Sequence, residues 1–181
     1  MSILNYTVDL ETLGRGDNAP IVQLAVMKFD EEGDEIESLV RNVDLSTLDN
    51  EGLELSTVKF WLSQSKEVTE SVFNSQDVYP ISQCLLDLEG FIFDTSTFNR
   101  DDIRIWQHSS FDSPKIQYAF KKYLQRETYI KYHWFKDIRT LEVLANQGRR
   151  VKGNMAHNAL TDCFEQAEWI SQCLNSIDGA Q

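Results

Sequence analysis

The N-terminal segment alternates between apolar and polar residues with a period of two. Tyr6, Val8 and Leu10 share one side of the pattern, and the residues between them, including Asp9 and Glu11, share the other. This alternation predicts a strand with one apolar face. Asp9 and Glu11 then project in the same direction from neighbouring pleats. Two carboxylates so placed on a central strand are unfavourable unless a cation lies between them, so the pair is a candidate ligand set.

Further strands are predicted along the chain. Residues 21–29 are almost continuously apolar, which is typical of a strand buried on both faces. A turn leads from there to a more polar strand over residues 35–43. Residues 103–107 form a short strand, and residues 132–135 are a candidate for another. Five strands are therefore expected.

Helix-start signals lie between and after these strands. Ser56 or Thr57 can cap one helix, Pro114 opens another, and Asp137 caps a third. A basic linker is expected over residues 149–154. The predicted helices cover approximately residues 56–62, 67–73, 80–92, 113–124, 138–147 and 158–177. This order of elements predicts an α/β fold with one mixed sheet and helices packed against it.

The last predicted helix carries apolar residues at steps of three and four. They are Leu160, Phe164, Ala167, Ile170 and Leu174. This spacing predicts that they form the buried face of the helix.

The totals describe an ordinary globular chain. The 181 residues are expected to form one domain, 1–181, and 41% of them are hydrophobic. No apolar run approaches the ~20 residues of a membrane span, and no signal pattern opens the chain, so no membrane association and a cytoplasmic location (the host cytoplasm if phage-encoded) are expected. Cys84, Cys163 and Cys173 lack a paired or zinc-ligand spacing and are expected to be buried, reduced thiols.

The charge is distributed unevenly. The protein has a net charge of −12, yet residues 115–152 carry 10 basic and 3 acidic side chains, a net charge of +7. This segment is either a solvated helix face or a surface that steers a nucleic-acid backbone. The charge alone does not distinguish the two.

Three further residues complete a candidate site. Asp112 follows the strand over residues 103–107 at a strand-to-helix junction, and His157 and Asp162 lie at the start of the last helix. Taken singly, each aspartate could be a helix N-terminal residue favoured by the helix dipole, and His157 a capping or surface residue. Together with the first strand, they offer oxygen ligands that favour Mg²⁺ or Mn²⁺ over Zn²⁺, and an imidazole suited to proton transfer near neutral pH.

Three motifs then indicate a family. Val8-Asp9-Leu10-Glu11-Thr12, Phe111-Asp112 and His157-Asn158-Ala159-Leu160-Thr161-Asp162 occur in an order that resembles the DnaQ-like exonucleases with the DEDDh signature. Residues 9–14, 57–61 and 136–140 are similar to the small phage and bacterial members of the T4 DexA and RNase AS kind. The resemblance implies a ribonuclease-H-like fold, with a mixed five-stranded sheet flanked by helices.

The resemblance also implies roles for the candidate residues. Asp9, Glu11 and Asp162 would hold one Mg²⁺ or Mn²⁺ ion. Asp9 would also bind a second ion, which Asp112 would position through water, and His157 would be the general base. The implied activity is hydrolysis of single-stranded DNA or RNA from the 3′ end to 5′-mononucleotides.

Substrate contacts can be proposed from the same resemblance. Thr12 and Leu13 follow the acidic pair, where the family has backbone contacts to the terminal nucleotide and an apolar wedge. Phe111 and Trp61 are candidate stacking platforms for bases, although each could instead be a core residue. The sequence leaves the choice between DNA and RNA open, and a homodimer is possible.

Two alternatives belong to other functional classes. The chain could be a catalytically inactive nucleic-acid-binding module of the same fold, but such modules usually lack a metal ligand and here all five positions are filled. A hydrolase with Cys163 as nucleophile is disfavoured because this cysteine falls close to the buried face of its helix.

Overall fold

The computed structural model of the protein describes residues 4–93, 103–108, 111–148 and 157–179. Its strands form one mixed sheet in the spatial order β4-β3-β2-β1-β5-β6. In chain order they are β1 (Leu4–Thr12), β2 (Ile21–Phe29), β3 (Glu35–Val43), β4 (Val78–Tyr79), β5 (Ile103–Gln107) and β6 (Phe135–Asp137). β2 is antiparallel to both β1 and β3, whereas β5 runs parallel to β1 and to β6.

The sheet has six strands in the described part of the chain, not the five predicted. The additional strand, β4, is a two-residue edge strand that pairs in parallel with the end of β3. Two residues are too few to show a period of two, so the sequence pattern could not reveal it. The strand predicted over residues 132–135 is also displaced. Residues 132–134 form a 3₁₀ turn, and β6 begins only at Phe135.

Helices cover both faces of the sheet. They are α1 (Leu55–Leu62), α2 (Lys66–Phe73), α3 (Ile81–Ile92), α4 (Asp112–Leu124), α5 (Ile138–Leu144) and α6 (Ala159–Asp178). The cap predicted at Asp137 is confirmed, since its carboxylate accepts a hydrogen bond from the Thr140 amide at 3.2 Å. The cap predicted at Ser56 or Thr57 is wrong, because α1 begins one turn earlier, after Glu54.

The alternation predicted for β1 is confirmed. Tyr6, Val8 and Leu10 belong to the core cluster that includes residues of α3 and α4. The Thr7 side chain faces the other way and donates a hydrogen bond to Gln166 of α6. Because β1 lies between β2 and β5, its polar side chains are buried between the sheet and α6, which explains why they need specific partners.

The buried face of α6 is rotated relative to the prediction. Phe164 is 40% exposed, whereas Cys163, Ala167 and Ile170 are fully buried. The reason is that Asp162 and Gln166 also face the sheet and are buried. Hydrophobic periodicity does not count these polar residues, so it placed the centre of the face about one residue too far along the helix.

Two further expectations concern the whole chain. The three cysteines are buried and form no disulfide. None of the helices in the described ranges combines the length and apolarity needed to cross a membrane. The basic linker predicted over residues 149–154 lies outside the described residues.

Candidate active site

A cavity of about 240 Å³ opens at the edge of the sheet where β1 and β5 end. The five residues of the predicted constellation all line it, together with aromatic residues from α1 and from the start of α4. The described residues lining the cavity are Asp9, Leu10, Glu11, Thr12, Gly14, Arg15, Thr57, Phe60, Trp61, His108, Phe111, Asp112, His157 and Asp162. Folding therefore brings the first strand, the junction before α4 and the start of α6 to one place.

The Asp9 carboxylate is oriented by a buried chain of hydrogen bonds. The Thr7 hydroxyl donates to the Gln166 side-chain oxygen at 2.7 Å, and the Gln166 side-chain nitrogen donates to Asp9 Oδ1 at 2.7 Å. Gln166 is only 1% exposed, so its amide has little freedom to turn. The chain fixes one oxygen of Asp9 and directs the carboxylate towards the cavity.

The start of α6 places His157 beside Asp162. The His157 amide donates to Asp162 Oδ2 at 3.1 Å, and His157 has a positive φ of 75°. A left-handed backbone at a residue with a side chain is held only when its surroundings fix it. Here, the Asn158 side chain caps the helix by accepting from the Thr161 amide at 3.1 Å, and the Ala159 amide donates to Gln23 of β2 at 2.8 Å.

Asp112 is 2% exposed at the first residue of α4. Its carboxylate accepts a hydrogen bond from the His108 amide at 3.1 Å. Burial raises the pKa of Asp112 to about 7, against the opposing effects of that hydrogen bond and of the positive charge of Lys115. A carboxyl group so disfavoured as an anion gains much from a nearby cation.

The arrangement of donor atoms fits a divalent cation. One ligand atom each from Glu11, His157 and Asp162 lie within 4.8 Å of one another. Asp9 and Asp112 line the same cavity. All four carboxyl groups belong to residues that are at most 9% exposed. Several buried carboxylates around one space repel each other, and oxygen donors of this kind suit a hard cation such as Mg²⁺ or Mn²⁺.

The predicted substrate contacts differ in their surroundings. Trp61 is 4% exposed and donates its indole N–H to the Thr12 carbonyl oxygen at 3.0 Å, so only a small part of it faces the cavity. Phe111 is half-buried at the cavity wall. The Thr12 hydroxyl donates to the Gly14 carbonyl oxygen at 2.7 Å. Leu13 is not among the described residues that line the cavity, and it packs against the cluster that includes Trp61.

Sequence reasoning assigned no role to three residues that contact or support the proposed site residues. Phe60 contacts the His157 ring edge to face, with ring centroids 4.8 Å apart. It lies beside Trp61 in the family-like segment, which could have drawn attention to it. Gln166 lies one helical turn after Asp162, a spacing that places both on one side of α6. Nothing in the sequence distinguishes Lys115 from the other basic residues of α4, so its burial could not be predicted.

Lys115 is a buried cation directly behind the cavity wall. Its ammonium group donates to the carbonyl oxygens of Arg15 at 3.1 Å and Phe111 at 3.0 Å, and it lies 3.4 Å from the centroid of the Phe111 ring. Burial lowers its pKa, while the charge of Asp112 acts in the opposite direction. Lys115 thus ties the loop after β1 to the start of α4.

Comparisons with known proteins place the chain in a family. A model of the 3′-5′ exoribonuclease Rv2179c-like domain matches residues 4–174. The chain belongs to the Rv2179c-like 3′-5′ exoribonuclease family. No curated protein matches it. The family assignment confirms the DnaQ-like 3′-5′ exonuclease class expected from the sequence. That residues 1–181 form one domain stays a prediction.

Solved structures similar to this Rv2179c-like domain share its fold. A structure of the zinc-bound E. coli exonuclease I complex with single-stranded DNA has a TM-score of 0.66 at 12% identity, covering 99% of this chain and 43% of that one. The structure of E. coli exonuclease I with a dT13 oligonucleotide has a TM-score of 0.64 at 14% identity, and the match covers 95% of this chain and 41% of that one. Exonuclease I from Methylocaldum szegediense has a TM-score of 0.60 at 13% identity, and the match covers 91% of this chain and 39% of that one.

These likenesses confirm the ribonuclease-H-like α/β fold. The Rv2179c-like chain spans only about two fifths of the length of these exonuclease I structures. At such low identity they show the fold alone.

The cysteine hypothesis gains no support from the structure of this Rv2179c-like domain. Cys163 is fully buried, and burial raises the pKa of its thiol well above the ordinary value, an effect to which the neighbouring Asp9 adds. A thiol in that state is a poor nucleophile.

Proposed function

We propose that the protein is a two-metal-dependent exonuclease that removes 5′-mononucleotides stepwise from the 3′ end of single-stranded nucleic acid. The observation that carries the proposal is the convergence of four buried carboxyl groups and one imidazole on a single open cavity. The four groups are those of Asp9, Glu11, Asp112 and Asp162. The fold leaves the cavity at the edge of the sheet, where a chain end can enter.

The acidic residues would bind the two cations in two overlapping sets. Glu11 and Asp162, with Asp9, would hold one ion, and Asp9 and Asp112 would serve the second. Bound Mg²⁺ or Mn²⁺ would supply Lewis-acid chemistry at the scissile phosphate. Gln166 keeps Asp9 in place because it donates a hydrogen bond to Asp9 Oδ1.

His157 is the proposed general base. It lies on the cavity wall, and its amide is bonded to Asp162, so the imidazole is held beside the acidic cluster. From there it can take the proton of the attacking water at neutral pH. Asp162 thus has two roles, since the carboxylate that would hold a cation also fixes the backbone of the base.

The cavity walls suit the end of a single strand. Phe111 is proposed to stack on a base, because it lines the cavity and is half-buried there. Thr12 and Gly14 line the cavity, and the Trp61 indole N–H holds the Thr12 carbonyl oxygen in place. That Leu13 acts as an apolar wedge at the terminal nucleotide stays a proposal.

An assay with labelled oligonucleotides tests whether the substrate is RNA or DNA. The family is named for exoribonucleases, and similar structures hold single-stranded DNA. RNA and DNA oligonucleotides of the same sequence, labelled at either the 3′ or the 5′ end, are incubated with the protein and Mg²⁺ or Mn²⁺. We expect mononucleotides from 3′-labelled strands at once and a descending ladder from 5′-labelled strands.

The same assay separates the alternatives. EDTA should abolish hydrolysis, and iodoacetamide should not, because the thiols are buried. Internal cleavage products would contradict an exonuclease. Binding of oligonucleotides without any hydrolysis would favour the inactive binding module. The predicted homodimer stays a prediction, which sedimentation of the protein can test.

A further inference from the structure

A second concave surface lies away from the active site, on the basic segment of the chain. It is a groove of about 410 Å³ between the second half of α4 and the residues that follow this helix. Gln117 and Lys121 line it from α4, and the residues after the helix that line it are Glu127, Thr128, Ile130, Lys131 and Tyr132. We call this surface, together with Tyr129, which lies between Thr128 and Ile130 in the chain, the α4 groove.

The charge around the α4 groove is opposite to that of the protein. Its lining carries two lysines, Lys121 and Lys131, against one acidic residue, Glu127, whereas the protein has a net charge of −12. Lys121 forms one ion pair, with Glu127 at 3.4 Å, and both side chains are more than half exposed. Such exposed pairs contribute little and exchange readily for another partner. Lys131 is exposed and forms no ion pair with another described residue.

Two tyrosines give the groove its second feature. Tyr132 is 81% exposed and Tyr129 is 63% exposed, the highest values among the described phenylalanine, tyrosine and tryptophan residues. Tyr129 is nevertheless fixed, because its amide donates to Glu89 at 2.7 Å and the Arg126 guanidinium lies 4.7 Å from its ring centroid. Exposed rings on a fixed backbone beside lysines are the usual means of holding single-stranded nucleic acid.

The groove and the active site share the helix α4. The first residue of α4 is the proposed metal ligand Asp112, and Gln117 and Lys121 lie 5 and 9 positions further along the same helix. At about 1.5 Å per residue these positions are roughly 8 and 14 Å from Asp112 along the axis. Lys121 also projects from the side of α4 opposite to Asp112, because nine positions are two and a half turns. A strand that advances about 3.4 Å per nucleotide must pass around the helix and therefore needs at least about four to five nucleotides to reach Lys121.

We infer that the α4 groove binds the part of a single-stranded nucleic acid that lies several nucleotides to the 5′ side of the scissile phosphate. Lys121 and Lys131 contact phosphates, and Tyr129 and Tyr132 stack on bases. The inference rests on the proposed function, because it supposes that the 3′ end occupies the cavity at Asp112. It adds that the affinity of the enzyme depends on the length of the strand.

A length comparison tests the inference. Hydrolysis of a trinucleotide, which is too short to reach the groove, is compared with that of a dodecanucleotide. In the double variant Lys121→Gln/Lys131→Gln we expect KM for the dodecanucleotide to rise by about fivefold or more, with KM for the trinucleotide and kcat for both unchanged. The slope of log KM against log salt should fall by about 1.4 for the longer strand, since two phosphate contacts are lost at about 0.7 each.

A matched variant controls for net charge. Lys28→Gln/Lys66→Gln removes the same charge from β2 and α2 and should leave both substrates unaffected. Tyr132→Leu should raise KM for the dodecanucleotide alone. An equal effect of the groove variant on both lengths, or no effect on either, would overturn the inference.

Binding without hydrolysis separates the inference from the proposed function. A 5′-fluorescein dodecanucleotide is titrated in EDTA and followed by anisotropy. We expect the groove variant to bind it about fivefold more weakly than the wild type, even if no hydrolysis were found in Mg²⁺. Equal binding by the two would overturn the groove as a nucleic-acid site while leaving the exonuclease proposal intact.

Discussion

The ring of Phe60 meets the ring of His157 edge to face, with centroids 4.8 Å apart and planes at 84°. Phe60 belongs to α1 and His157 precedes α6, so this contact joins two elements that lie almost a hundred residues apart. Trp61 approaches the same imidazole at 6.4 Å. The pair forms an aromatic wall that limits the orientations of the proposed base.

Replacing Phe60 by leucine should therefore reduce turnover. Edge-to-face pairs stabilise the folded state by about 0.5–1.5 kcal/mol, so the melting temperature should fall by no more than a few degrees. Because the imidazole is then held less firmly, we expect kcat to fall by roughly two- to tenfold. Phe164→Leu is the matched control, because Phe164 is exposed to a similar extent (40% against 38%) and does not line the cavity. Equal loss of kcat in both variants would contradict a positioning role for Phe60.

The proposed roles of His157 and Asp9 predict different effects on metal binding. His157→Ala should retain affinity for Mn²⁺ and lose most turnover, whereas Asp9→Asn should lose both. Calorimetric titration with Mn²⁺ and measurement of kcat check this. His133→Ala, which changes an exposed histidine outside the cavity, serves as the control. Equal metal affinity of the first two variants would count against the assigned roles, and so would loss of Mn²⁺ from His157→Ala, given how close His157 lies to Glu11 and Asp162.

Burial of Asp112 predicts how the stability of the metal-free protein depends on pH. Its pKa is raised to about 7 in the folded state, from an ordinary value of 3.8. The folded protein therefore holds a proton that the unfolded chain has lost between these values, and the resulting stabilisation disappears as pH rises through about 7. In EDTA, this group should make the melting temperature fall between about pH 4 and pH 7 and level off above that, and the Asp112→Asn variant should show a smaller fall. A steeper fall in the variant would refute this explanation.

Gly14 is predicted to tolerate no side chain. A Cβ atom on Gly14 would lie 2.2 Å from the carbonyl oxygen of Gly52, and this is a backbone atom that cannot rotate away. Gly14→Ala should lower the melting temperature and, because Gly14 lines the cavity, raise KM. Gly90→Ala is the control. Its Cβ would have no neighbour within 4 Å, so this substitution within α3 should stabilise the protein by about 0.5–1 kcal/mol.

The sequence by itself determined the features that depend on local pattern. The alternation along β1 gave the direction of Asp9, since a period of two follows from the geometry of one strand. The motif order identified five residues that now line one cavity. The family followed from those residues too, because they form a combination that is rare by chance.

Tertiary structure alone decided which residues support that site. Phe60, Gln166 and Lys115 acquire their roles only because α1, α6 and α4 meet β1, and no local pattern encodes such contacts. The same reason explains the rotated face of α6, where Asp162 and Gln166 are buried against the sheet. A hydrophobic pattern predicts which apolar residues are buried, but it does not predict which polar side chains folding buries at a binding site.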